Sequence, residues 1–103
     1  MKKLQFITLA VLFALQLSAQ QKEETYNLQT ETGELKGSLL LPKSDQKLPV
    51  VLMISGSGPT DRNGNNAMMQ NNSLKMLAEG LCKSSIASVR YDKRGVGESK
   101  GAW

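Results

Sequence analysis

Residues 97–101 read GESKG, a match to GxSxG, the pattern that surrounds the nucleophilic serine of many hydrolases. The chemistry behind that pattern is a sharp strand-to-helix turn that lifts a serine hydroxyl above the sheet, beside a base that takes its proton. The residues around Ser99 supply neither part. The apolar strand before it is expected to end near Asp92, so KRGVGE, residues 93–98, stands between the serine and the strand tip. The chain contains no histidine, which excludes a Ser-His-Asp triad, a Cys-His pair and most zinc sites built from its own residues. Ser99 is therefore expected to be a loop residue that caps a following helix.

A second stretch, ISGSGPTDRNG at residues 54–64, offers different chemistry. Gly56 and Gly58 remove side chains where a backbone must bend and approach a ligand, and Pro59 stiffens the exit while donating no hydrogen bond. Such a loop can aim a backbone N–H, that of Ser57, at a ligand oxygen. An oxyanion hole requires a preorganised donor of this kind, placed where negative charge develops in the transition state. An ordinary glycine-rich connection has the same composition, so the placement of the loop decides its meaning.

Other motifs fail on spacing. Asp61-Arg62-Asn63-Gly64 lacks the sixth-position glycine and the later glutamate of a calcium loop and reads as a polar turn. Ser99-Lys100-Gly101 reverses the order a P-loop needs. Gly95, Gly97 and Gly101 are spaced GxGxxxG, which keeps a nucleotide-binding α/β module as an alternative. SDQK at residues 44–47 lies in a polar loop rather than opening a helix. Cys82 is the single cysteine, so there is no internal disulfide and no cysteine-rich metal site. No cofactor and no metal are expected.

The elements that must position these residues follow from periodicity. ETYNLQT (24–30) and ELKGSLLL (34–41), separated by a Thr32-Gly33 turn, predict an antiparallel hairpin stopped by Pro42. VVLMIS (50–55) is apolar without alternation, as in a strand covered on both faces. Leu74, Leu77, Ala78, Leu81 and Cys82 form one stripe on a helix with Asn72 or Ser73 as its N-cap. IASVRYD (86–92) returns to strand, and strand, helix and strand in this order make a right-handed parallel crossover. Met68 and Met69 suit either a pocket or the core.

The N-terminus sets the compartment. Lys2 and Lys3, the apolar run LQFITLAVLFALQL (4–17) and Ser18-Ala19-Gln20 have the order of a secretory signal peptide over residues 1–20, cleaved after Ala19 or Gln20. The run falls short of the roughly 20 apolar residues of a membrane span, so no stable anchor is expected after cleavage. The remainder, residues 21–103, is expected to be periplasmic or secreted. Of the 13 basic residues two belong to this leader, which leaves the rest only slightly basic against 9 acidic residues. No basic face or aromatic ladder points to nucleic acid. A chain this short buries only about 60–65% of its unfolded surface, which is marginal for an independent domain. A small exported protein without catalysis is the third reading.

Taken together, these residues resemble the α/β-hydrolase superfamily, in its secreted bacterial esterase-like form. RYDKRGVGES (90–99) matches the DxRGxGxS segment after the fourth strand at Asp92, Arg94, Gly95, Gly97 and Ser99. LMISGSGPTDRNG (52–64) resembles the oxyanion loop after the third strand, and GELKGSLLLP (33–42) the preceding hairpin strand. The resemblance implies an α/β fold, an antiparallel hairpin followed by a βαβ unit, that stops short of the nucleophile elbow. It implies hydrolysis of a small ester or peptide-like substrate through an acyl-enzyme. Ser57 would donate its backbone N–H to the oxyanion hole, with Ser55 in place of a frequent histidine. Asp92 and Arg94 would fix their loop by charge-assisted hydrogen bonds, and Gly95 and Gly97 would permit its turns. The nucleophile, acid and histidine would come from later segments. Without the fifth strand, VVLMIS would be an exposed apolar edge prone to aggregation.

Overall fold

The computed structural model describes residues 21–103; the signal peptide read over residues 1–20 lies outside the described residues. The strands are β1 (Gln21–Thr25), β2 (Leu28–Thr30), β3 (Gly33–Leu35), β4 (Gly37–Pro42), β5 (Val50–Met53) and β6 (Ala87–Tyr91). A helix, α1 (Ser73–Lys83), joins β5 to β6, and a single 3₁₀ turn, Gly97–Ser99, follows. The main sheet has the order β1-β4-β6-β5, while β2 and β3 form a separate two-stranded ribbon. β5 and β6 are parallel and the other pairs antiparallel, so the hairpin and the βαβ unit expected from sequence are both present.

The hairpin is one long ribbon broken at the same level on both strands. Lys36 leaves the ladder because its backbone is engaged elsewhere: its carbonyl accepts the Asp92 N–H at 2.9 Å and its N–H donates to Ser99 Oγ at 2.9 Å. The Asn27 side chain fills the gap by accepting the Gly37 N–H at 3.1 Å. Three segments of the chain meet at Gly37, where a Cβ would lie 2.5 Å from the Tyr26 carbonyl oxygen and 2.9 Å from that of Arg90. Both neighbours are backbone and cannot swing aside. Gly37→Ala is expected to destabilise the protein by about 2 kcal/mol, as overpacking does, and chemical denaturation would read this as a lower midpoint.

Register decides which side chains reach the core. Leu40 stands opposite Ser88, and Ser38 opposite Arg90, so these side chains share the face on which α1 packs. The core there is small: Leu40, Met53, Ala78 and Cys82, with Leu81 against them. The helical stripe is only partly used, since Leu77 remains 52% exposed. On the opposite face Leu39, Val89 and Leu52 align across three strands. No helix among the described residues covers them, and Leu52 is 59% exposed. β5, expected to be covered on both faces, is thus covered on one and forms the sheet edge with Val50, Val51 and Leu52 open.

The cap of α1 falls on one of the two expected residues but is made differently. Asn72 occupies the N-cap position in a left-handed conformation and makes no side-chain capping bond. Its amide pairs reciprocally with Asn65, through Asn65 Nδ2 to Asn72 Oδ1 at 2.7 Å and Asn72 N to Asn65 Oδ1 at 2.8 Å. The Asn63 carbonyl accepts the Leu74 N–H at 3.1 Å instead, satisfying a donor that the helix leaves free. The polar loop therefore caps the helix from outside.

Burial pushes the Cys82 thiol above its ordinary pKa of 9.0. The folded chain holds this proton more tightly than the unfolded chain, so its contribution is complete below about pH 9 and is lost as pH rises through the folded value. Wild type is expected to lose stability against Cys82→Ala as pH is raised above 9.0 in denaturant titrations.

Candidate active-site loop

Because β5 and β6 are parallel with Met53 opposite Arg90, the segments that leave them emerge at the same end of the sheet. β4 is antiparallel, so its beginning, at Gly37, lies there too. Ligands of open α/β sheets bind beyond the carboxyl ends of the strands, which is this end.

The segment after β5 forms a bend pinned at its base and its tip. Ser55 is buried, and its hydroxyl donates to the Thr60 carbonyl at 3.1 Å, closing the base. At the tip Gly56, Ser57 and Gly58 are exposed, with Gly58 at φ +86°. The Lys93 ammonium, following β6, donates to the Gly56 carbonyl and, at 2.7 Å, to the Gly58 carbonyl. The Ser57 N–H has no hydrogen-bond partner among the described residues. Two carbonyls are thus held on the lysine side, while the N–H groups of Ser57 and Gly58 between them have no hydrogen-bond partner among the described residues.

Asp61 to Asn65 form a closed polar turn, as read from sequence. Asp61 Oδ1 accepts the N–H groups of Asn63 at 2.8 Å and Asn65 at 3.0 Å. This turn delivers Arg62 to Asp92. The Asp92 side chain is 3% exposed, with Oδ1 accepting the Arg62 N–H at 2.7 Å and Oδ2 accepting the Glu98 N–H at 3.0 Å. The Arg62 guanidinium lies 3.3 Å from Oδ2, donates to Ser38 Oγ at 3.0 Å and pairs with Glu98. Arg94 was expected to share in fixing this loop by charge. Among the described residues it makes no ion pair, and its hydrogen bond runs instead from Nε to Thr32 Oγ1 at 3.3 Å, in an exposed position. The arginine that meets Asp92 comes from the other motif.

Ser99 is fully buried. Its hydroxyl donates to the Asp92 carbonyl at 2.7 Å and accepts the Lys36 N–H at 2.9 Å. A hydroxyl committed in both directions and shielded from solvent cannot approach a substrate. It belongs to the 3₁₀ turn itself and caps no later helix among the described residues. Gly95 and Gly97 take positive φ values of +76° and +53°. At Gly97 a Cβ would stand 2.6 Å from Asp92 Oδ2, so only glycine lets the turn wrap the carboxylate.

Two further residues carry this end of the sheet and were not singled out in the sequence. Arg90, 2% exposed, donates to Asn63 Oδ1 at 2.6 Å and to Glu23 Oε1 at 2.7 Å. It ties β6 to the polar turn and to β1. The available signal was alternation: in ASVRY, Ser88 and Arg90 fall on the face that carries Leu40. Lys93 was visible only as a variable letter in DxRG.

A cleft of about 630 Å³ opens beside the hairpin, bordered by Glu23, Lys36, Arg62, Lys75 and Glu98. Most of these charges are already paired with one another, as in Arg62–Glu98, or with neighbours, as in Arg90–Glu23 and Lys36–Glu34. The cleft does not include Ser57. Met68 is 95% and Met69 52% exposed, so neither belongs to the core. No group of three or more potential metal ligands occurs among the described residues.

Solved structures share this fold. A lidless α/β serine hydrolase from Xanthomonas campestris superposes with a TM-score of 0.55 at 28% identity, over 80% of this chain and 36% of that one. A cold-adapted esterase from an Arctic intertidal metagenomic library does so with a TM-score of 0.57 at 19% identity, over 77% of this chain and 30% of that one. The fold is that of an α/β-hydrolase. More narrowly, the family described as X-Pro dipeptidyl-peptidase (S15 family) matches residues 32–103, and the chain belongs to it. Esterase EstD of Thermotoga maritima is 35% identical over 60 residues, 58% of this chain. The chain spans only 14% of the length of that relative.

Proposed function

We propose that residues 21–103 form the N-terminal part of an exported serine hydrolase that cleaves carboxylic esters through an acyl-enzyme, with the Ser57 N–H as one donor to the oxyanion. The observation that carries this reading is the Ser57 N–H, without a hydrogen-bond partner among the described residues, at the carboxyl end of a parallel strand in a loop whose flanking carbonyls are held by Lys93. In this reading the nucleophilic serine, the acid and the histidine lie outside residues 1–103. The serine attacks the carbonyl carbon, the carbonyl oxygen gains negative charge, and a fixed N–H stabilises that charge more than it stabilises the ground state. Export through the 1–20 leader is part of the proposal.

Ester substrates are favoured by the similarity to an esterase, and a peptide-bond reading by the name of the S15 family. Both reactions pass through the same oxyanion. The full-length protein, assayed with p-nitrophenyl butyrate and with an X-Pro p-nitroanilide, separates them. Turnover of the butyrate well above that of the anilide supports the ester reading; the reverse order replaces it with the peptidase reading, and turnover of neither removes both.

A nucleotide-binding module is the poorer fit. The seat that a phosphate would take in the Gly95–Gly101 turn is filled by the carboxylate of Asp92, which accepts the Glu98 N–H and crowds Gly97. An anion brought there would meet that negative charge.

A further inference from the structure

We propose that Lys93 is a positioning residue that sets the direction of the Ser57 N–H, an inference that rests on the oxyanion reading of that group. The argument is one of peptide geometry. The Gly56 carbonyl and the Ser57 N–H belong to the same peptide unit, and no cis bond occurs among the described residues. In a trans unit the C=O and N–H point in opposite directions across a rigid plane. The Lys93 ammonium binds the Gly56 carbonyl, so the Ser57 N–H points away from the lysine. Its second bond, to the Gly58 carbonyl at 2.7 Å, fixes the next turn of backbone and removes the freedom to rotate about Ser57.

The need for such a clamp follows from the sequence. Gly56 and Gly58 make the tip permissive, and neither meets any atom within 4 Å of where its Cβ would be. The two glycines therefore add no side-chain packing to the tip, and hydrogen bonds are what position their carbonyls. The Ser55–Thr60 bond closes the base, the four residues 56–59 remain above it, and Lys93 is the side chain that reaches the carbonyls of two of them, Gly56 and Gly58. A loop free to flip the 56–57 peptide would turn a carbonyl, a repulsive group, toward a developing oxyanion. Lys93 is held to β6 through the Asp92 backbone, whose N–H donates to Lys36. The oxyanion donor on one parallel strand is thereby referenced to the next strand.

The test uses the full-length protein with Lys93→Met and Lys93→Arg. Lys93→Met is expected to lower kcat about tenfold, a fraction of the roughly 10²–10³-fold loss seen when an oxyanion donor is removed outright. KM for p-nitrophenyl butyrate should change less than twofold, and the Ser57 amide should exchange its hydrogen with a changed rate and shift its ¹H–¹⁵N resonance. Lys93→Arg, whose guanidinium can also donate to two carbonyls, is expected to recover most of the lost kcat. An unchanged kcat in Lys93→Met, or an unmoved Ser57 resonance, overturns the proposal. Loss of activity in both variants with a matching fall in Tm also overturns it, since that is support of the fold alone. Ser57→Pro, measured alongside, separates the two levels. If it is impaired while Lys93→Met is not, the oxyanion reading stands and the clamp fails; if it is fully active, both fail.

Discussion

Asp92→Ala is expected to destabilise the full-length protein by about 3–5 kcal/mol, the range found when one member of a buried ion pair is removed. Its carboxylate meets the N–H groups of Arg62 and Glu98 and the Arg62 guanidinium, in a position 3% exposed for Asp92 and 12% for Arg62. Removing it leaves two donors and a largely buried charge without their main partner, and the remaining pair with Glu98 reaches a side chain 73% exposed. Solvent screens such an exposed partner, so Glu98 cannot replace Asp92. Marginal stability of about 5–15 kcal/mol makes this a large fraction of the whole. Arg94→Ala, from the same motif, is expected to shift stability by no more than about 0.5 kcal/mol because its one hydrogen bond among the described residues is exposed. Thermal unfolding of the two variants side by side checks both. Equal losses would mean that the charge of the motif, rather than the Asp92 contacts, stabilises the loop.

The second large effect is expected on catalysis. Ser57→Pro deletes the backbone N–H and should reduce kcat about 10²–10³-fold, as loss of an oxyanion donor does. Ser57→Ala keeps the N–H and removes only the hydroxyl, which is exposed, so kcat should stay within about twofold. The contrast separates a backbone donor from a side-chain role. If Ser57→Ala were the impaired variant, the hydroxyl and not the amide would be the working group.

Much of the layout was legible from patterning, because period and turn chemistry are local. The parallel crossover followed from the VVLMIS run, the Leu74–Cys82 stripe and IASVRYD, and each became an element within a few residues of its expected bounds. The break in the hairpin was not legible. It depends on Lys36 binding Asp92 and Ser99, residues more than fifty positions away, and no local pattern encodes that contact. The N-cap fell on one of the two expected residues, but the group that satisfies the helix was not legible for a related reason. Asn72 is a good capping type, but the Asn63 carbonyl had already reached the helix and Asn65 had taken the Asn72 amide.

The two motifs that carried the family resemblance were read as separate loops, yet they work as one structure. Arg62 and Asn63 of the first meet Asp92 and Arg90 of the second, and Lys93 of the second holds Gly56 and Gly58 of the first. Asp92 and Arg94 were both expected to fix their loop by charge-assisted hydrogen bonds, and Arg94 is the arginine near Asp92 in sequence. The nearer arginine in space is Arg62, brought there by the Asp61 turn. Spacing within one motif says which residues are neighbours along the chain, whereas an ion pair is chosen by the sheet that sets two loops side by side.

The fate of Ser99 brings these points to one measurement. The letters GESKG invite a nucleophile, while the hydroxyl is buried and bonded to Asp92 and Lys36. The full-length protein is treated with a fluorophosphonate, which phosphonylates an activated serine, and the modified peptide is located by mass spectrometry after ester-hydrolase activity has been lost. The expected result is one adduct on a serine outside residues 1–103, with the peptide containing Ser99 unmodified. An adduct on Ser99, or ester hydrolysis that continues with no serine modified, would contradict the proposed mechanism.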